Sequence, residues 1–286
     1  MRRVPKYKDW WDLTFTDDYM FKCVMKNKQI CINTLNRFLP WHIRDIAYYE
    51  DEKPLQSHYE GKGVRLDVYV EDDVHRSYDL EMQVRKIRER APLNPADTSE
   101  PSIVMAKRMR FYQGELDVDQ LVKGGLYSEL RPTVIMFFCP FKVFDGSRHV
   151  YRFKTVCVDD PNLVFPDEVE KIVISSKGSM NDVSPDVQSF LEYLEGKVSD
   201  DPLVKEIEEE IHTVKQRKQE ERDYMSYLMN IREEREEARA EGKTEGEGGM
   251  IIKMIKDNMH LDMIQHLSGW TADQIRALAR KNGLAI

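Results

Sequence analysis

The sequence predicts an α/β domain built on a mixed sheet flanked by helices, followed by an all-helical C-terminal extension. Three observations carry this. IRDIAYYE, VRLDVYVE and SYDLEMQV alternate or run apolar over strand-like lengths and are separated by polar turns. TVIMFFCPF is a continuous apolar β-type run, as a strand covered on both faces requires. From Ser184 onward strand signals stop, and VQSFLEYLEG with the charged stretch after it reads as helix.

In chain order, Thr16 followed by DDYMFKCVMKNKQICINTLNRFLP fits one capped core helix, with Thr16 as N-cap, acids in the first turn and Pro40 beyond its end. The three strand runs then form a meander. RERAPLNPADTSEPS is Pro-rich and polar, hence a loop, and IVMAKRMRFYQGELDVDQLV has helical spacing. YRFKTVCV and EKIVISS supply further strands. The stretch from Leu203 to Ala240 reads as helix throughout, with Ile207, Ile211, Val214, Tyr224, Leu228 and Ile231 at mixed intervals. Heptads are not sustained, so an amphipathic arm is expected to pack on the core or on a second subunit. EGKTEGEGG, Gly-rich and charged, should break that helix. Beyond it come three short helical pieces, one opened by a Thr271/Gln274 capping box after a Ser268–Gly269 turn. The expected domains are residues 1–200, an arm over 201–240 and a helical module over 241–286.

Composition narrows the function. A chain of 286 residues with 41% hydrophobic residues can bury a core, and its 33% charged residues exceed the roughly 25% usual for globular chains. A net charge of -8 opposes non-specific coating of nucleic acid, while leaving room for a local basic site. Cys23, Cys31, Cys139 and Cys157 form no CxxC pair, which disfavours a disulfide scaffold or zinc site and suits a reducing cytoplasm. The N-terminus lacks a signal-peptide apolar region and no run approaches membrane-spanning length. His260 and His266 are not at i, i+4 ligand spacing, and neither a Walker lysine motif nor GxSxG occurs.

One face of the second hairpin collects acids. Asp67 shares a face with Arg65 and Tyr69, whereas Asp79, Glu81 and Gln83 share the face opposite to Leu80, Met82 and Val84. If the hairpin closes with Val70 facing Tyr78, Asp67 faces Glu81. Opposed residues in such a ladder lie about 4.5–5.5 Å apart, where two bare carboxylates repel unless one is protonated or a cation intervenes. A hard divalent ion fills such a gap, and Mg²⁺ commonly joins one or two carboxylates to waters and phosphate oxygens. The competing interpretation is a solvated polar sheet face.

KGVRLDVYVEDD, YDLEMQ, KRMRFYQ and LVKGGLYSELRPTVIMFFCPF, with DDYMFK before them, resemble the Rpn family of recombination-promoting nucleases, also labelled transposases, within the PD-(D/E)xK superfamily. The resemblance runs from about Asp12 into the tail and implies a restriction-endonuclease-like fold and a Mg²⁺-dependent DNA endonuclease, with Mn²⁺ able to substitute. It makes Asp67 and Glu81 the catalytic metal ligands, with Gln83 at the usual lysine position orienting water or phosphate. Met82 adds a backbone ligand and Asp18 an auxiliary acid. Because an amide cannot neutralise charge, Gln83 implies weak cutting or a cation recruited from elsewhere, for which Lys22 is the candidate unless it is simply an i, i+4 partner of Asp18 on the helix surface, the slightly favoured reading; Gln83→Lys should keep or raise activity. Arg108, Arg110, Arg85, Lys86, Arg88 and Arg90 concentrate positive charge near the site, suited to phosphate clamping or merely to a solvated face. Tyr112 and Gln113 match the family's tyrosine-containing helix. The expected partners are DNA and a second copy of the chain, a dimer formed through the C-terminal helices, in the cytoplasm without a membrane. The alternative is a catalytically silent nuclease fold that binds DNA or protein.

Overall fold

The computed structural model describes residues 7–55, 63–84, 100–121 and 123–284. Where one N-terminal helix was expected, two form: α1 (Asp18–Met25) and α2 (Lys28–Phe38). Asn27 divides them, its Oδ1 accepting from the backbone N–H of Gln29 at 3.2 Å and of Ile30 at 3.4 Å. A short polar side chain that caps a new helix competes with continuation of the old one. The α1 cap position is Asp17 rather than Thr16, and its carboxylate turns back to accept from the Thr14 N–H and hydroxyl.

The three strand runs form the expected antiparallel meander: β1 (Ile46–Leu55), β2 (Val64–Asp72) and β3 (Ser77–Met82). Helix α3 (Pro101–Gln120) lies between β3 and β4 (Thr133–Cys139) in the chain, and those two strands are parallel, as a helical crossover allows. β4 is buried at every position and also pairs in parallel with β6 (Val169–Ser175). β5 (Val150–Phe153) closes the edge antiparallel to β6, giving the order β1-β2-β3-β4-β6-β5. The TVCV part of the expected fifth strand leaves the sheet, retaining one isolated bridge, Val156 to Val164.

Alternation along β4 divides the core. Phe138 meets Phe21 of α1, Phe38 of α2 and Phe190 of α4 (Pro185–Leu194) at 5.9, 5.5 and 6.1 Å between ring centroids. Ile135, Phe137 and Cys139 join Met105, Met109, Tyr112 and Leu116 of α3 in the second cluster. This is a mixed sheet flanked by helices, consistent with a restriction-endonuclease-like α/β fold, with a helical C-terminal part.

The long C-terminal helix is divided at Arg217 into α5 (Pro202–Gln216) and α6 (Lys218–Lys256). α5 packs on α1, α2 and α4, with Leu203, Val204, Ile207, Ile211 and Val214 buried. The Gly-rich stretch does not break α6. Glycine costs about 1 kcal/mol in a helix interior, a penalty that packing can outweigh. Ile251 and Ile255 at the end of α6 form a core with Ile264 of α7 (Leu261–Ser268) and with Ile275 and Ala279 of α8 (Ala272–Lys281). The Thr271/Gln274 capping box is present, and Gly269 ends α7 in the left-handed region at φ 73°. The chain forms two compact units, 1–220 and 221–286. Among the described residues no helix is long and apolar enough to cross a membrane.

Candidate active site

The β2–β3 register is the expected one, Val70 opposite Tyr78 and Val68 opposite Leu80. The next pair along would be Asp67 and Glu81, and there the carboxylates replace the backbone ladder. Glu81 Oε1 accepts from the Asp67 backbone N–H at 2.9 Å, and Asp67 Oδ2 accepts from that of Met82 at 3.1 Å. Each acid thus satisfies a strand amide as the ladder ends. Tyr69 pairs with Asp79, which sets Asp79 on the same face as Glu81, fully buried and with neither carboxyl oxygen hydrogen-bonded among the described residues.

A cation flanks each acid. On the Asp67 side, Lys22 of α1 is buried and donates from Nζ to Asp18 at 3.1 Å and to Glu52 at 2.7 Å. Glu52 lies where the β1–β2 pairing passes from Asp51–Val68 to Lys53–Leu66, and its φ of 53° is the left-handed region, uncommon for a residue with a Cβ. On the Glu81 side, Arg108 of α3 donates to Glu81 Oε2 at 2.8 Å, to the Gln83 amide oxygen at 2.6 Å and to the Tyr112 hydroxyl at 2.7 Å. Its guanidinium also lies 4.8 Å from the Tyr112 ring centroid and 5.3 Å from that of Phe137, which fixes its plane.

The electrostatics follow from this crowding. Burial first, then the Glu81 and Asp18 charges, push the Asp67 carboxyl well above the ordinary range. Burial and Asp79 do the same to Glu81 against the pull of Arg108, and burial with Asp67 does so to Asp79. Burial alone would lower the pKa of Lys22, but Asp18, Asp67 and Glu52 outweigh it and hold the ammonium above its usual value. These acids are short of positive charge.

Of the residues anticipated from sequence, Asp18, Lys22, Asp67, Glu81, Gln83, Arg108 and Tyr112 are linked through these contacts, with Met82 contributing its N–H. Gln113 belongs elsewhere, donating to Asp117 at 2.7 Å, and Arg110 is exposed and outside the cluster's contacts. Arg85, Lys86, Arg88 and Arg90 lie outside the described residues, as does the Pro-rich loop up to residue 99. Glu52 was missed because IAYYEDEKPL reads as plain strand alternation, which carries no sign of a left-handed residue. The Gln83 amide oxygen accepts from Arg108, so Gln83→Lys would set an ammonium against a guanidinium.

The donor set fits a hard divalent ion in part. Asp67 and Glu81 offer oxygens, and burial, with the neighbouring acids, raises the pKa of each. Among the described residues no group of three His, Cys, Asp or Glu side chains is arranged to hold a metal, so waters, backbone or substrate oxygens would complete its shell.

Residues 15–93 match the model of the PD-(D/E)XK nuclease family transposases. The match takes in Asp18, Lys22, Glu52, Asp67, Asp79, Glu81 and Gln83, and supports a PD-(D/E)XK nuclease family assignment and a nuclease-type function. Nucleases of this family generally use divalent metals, and the family implies DNA as substrate. No curated protein and no solved structure matches the chain.

Proposed function

We propose that the chain is a Mg²⁺-dependent DNA endonuclease, with Mn²⁺ able to substitute, acting in DNA recombination or on mobile elements. The observation that carries this is the interlocked Asp67–Glu81 pair, desolvated and flanked by Lys22 and Arg108. Asp67 and Glu81 would hold the metal, with the Met82 backbone and Asp18 as auxiliaries. When bound, the metal supplies Lewis-acid polarisation of the phosphate and a lowered pKa for water. Arg108 and Lys22 place fixed positive charge at either side of the acids, where charge on a phosphate develops. Gln83 acts through Arg108, holding its guanidinium over Glu81, and Tyr112 braces the same group from α3.

Incubation of supercoiled plasmid with Mg²⁺, Mn²⁺ or Ca²⁺, using wild type, Asp67→Ala and Glu81→Ala, tests the assignment. Cutting by the wild type alone supports it; equal cutting by all three removes these residues from the chemistry. A catalytically silent DNA-binding or protein-binding fold is favoured by one observation, that both Glu81 oxygens already have protein donors. Metal-independent plasmid retention without nicking would select that reading. A homodimer through the C-terminal helices also belongs to this proposal, supported by exposed Met225 and Met229 one turn apart on α6. Light scattering of a chain ending at residue 217 should then give the mass of one truncated chain where the full chain gives that of two; a truncated chain that still pairs would locate the contact elsewhere.

A further inference from the structure

At the opposite end of the parallel strands from Gln83 lies a cleft of about 310 Å³, bounded by Trp41, Arg76, Pro132, Phe165 and Glu170. The length of β3 separates the two, roughly 20 Å at strand rise. One wall is a prepared platform. The Trp41 indole N–H donates to the Tyr78 hydroxyl at 3.1 Å, which donates to buried Asp72 at 2.8 Å. The Arg76 guanidinium sits 5.0 Å from the Trp41 ring centroid and makes no ion pair among the described residues. Phe165 is 60% exposed although it lines this concavity.

Glu170 forms the floor. It is in register with Val134, and so lies on the face of β4 that carries Phe138 against α2, the side from which Trp41 follows. It is 4% exposed, and Oε2 takes Lys154 at 3.1 Å. Oε1 has no hydrogen-bond partner among the described residues, and Arg152 Nε at 3.9 Å is beyond hydrogen-bonding reach. A carboxylate oxygen left unpaired at this depth gains a hydrogen bond from an entering donor that reaches it.

We propose that this cleft binds a nucleotide: the base lies against Trp41 and Phe165 and donates an N–H to Glu170 Oε1, while its phosphate meets Arg76. Aromatic faces and guanidinium planes stack on bases of any sequence, carboxylates accept from base amino groups, and the volume falls at the lower end of small-ligand sites. The nucleotide is either free or the unpaired end of a strand, and the site is independent of the nuclease assignment.

Titration of the full chain with AMP, GMP, ribose 5-phosphate and a short single-stranded DNA, followed by tryptophan fluorescence and calorimetry, tests this. Glu170→Gln, Phe165→Ala and Asp67→Ala are measured alongside, with circular dichroism confirming the fold. AMP or GMP should bind, ribose 5-phosphate at least about tenfold more weakly, and both cleft variants should lose about tenfold or more while Asp67→Ala is unchanged. Because Phe165 is exposed, its variant retains the fold if Glu170→Gln does not. Tighter binding of the oligonucleotide than of AMP identifies a strand end as the ligand, and the reverse a free nucleotide. No binding of any base-bearing probe at about 10 mM, affinity indifferent to both cleft variants, or ribose 5-phosphate binding as well as AMP would each overturn the proposal.

Discussion

The two ends of the sheet handle a buried carboxylate in opposite ways. At the carboxyl end of β3, both Glu81 oxygens meet donors, a strand amide and a guanidinium held on an aromatic ring. At the amino end of β6, Glu170 has one oxygen paired and one open. The contrast teaches that burial alone does not identify a reactive acid. Around Glu81, groups from α1, β1, β2 and α3 converge and further acids crowd in, so the local shortage is of positive charge. Around Glu170 the cations stand at half-exposed positions and the shortage is of a neutral donor.

Substitutions can break or sharpen this contrast. The largest effect is expected for Asp67→Ala or Glu81→Ala: under the proposed nuclease function each removes a metal ligand worth several kcal/mol of transition-state stabilisation and should cut plasmid nicking by about 10³-fold or more. Arg108→Ala comes next. It strands Glu81 without its cation and should lower unfolding free energy in urea by about 2–3 kcal/mol, below the full buried-pair range because Arg108 remains partly in water.

Asp79→Asn is smaller and depends on pH. The native carboxyl of Asp79 lies well above its ordinary pKa, so between about 3.9 and that raised value the folded chain holds a proton that the unfolded chain has released. Stability therefore falls as pH rises through this window. The asparagine variant should be more stable than wild type by about 1–2 kcal/mol at pH 7, with the gain vanishing near pH 4, as followed by thermal melts across pH. Glu170→Gln should change stability by less than about 1 kcal/mol, since its Lys154 and Arg152 partners behave as surface pairs. A loss as large as that of Arg108→Ala would erase the contrast between the two ends.

The acid pair was legible in sequence because strand alternation and a short turn fix which residues oppose each other; VRLDVYVEDDVHRSYDLEMQ contains its own register. TVIMFFCPF was equally plain, since only a strand covered on both faces tolerates an unbroken apolar run. What stayed hidden depends on long-range approach. Arg108 reads as a helix-surface cation until α3 is laid across β3 and β4, and Lys22 as a simple i, i+4 partner of Asp18 until β1 brings Glu52 to it. The helix break at Asn27 turned on one side chain choosing two backbone amides. Continuity of α6 through its glycines reflects packing of Ile251 and Ile255, which local propensity does not register.

That continuity has a consequence for how the tail behaves in solvent. Gly246 and Gly249 have open space where a Cβ would stand, and of the glycines in that stretch only Gly248 has a side chain, Leu278, against that position among the described residues. The amide protons of Gly246 and Gly249 should exchange with deuterium well before those around Ile251 and Ile255, making the glycine-bearing turns the place where α6 melts first and where a protease would nick it.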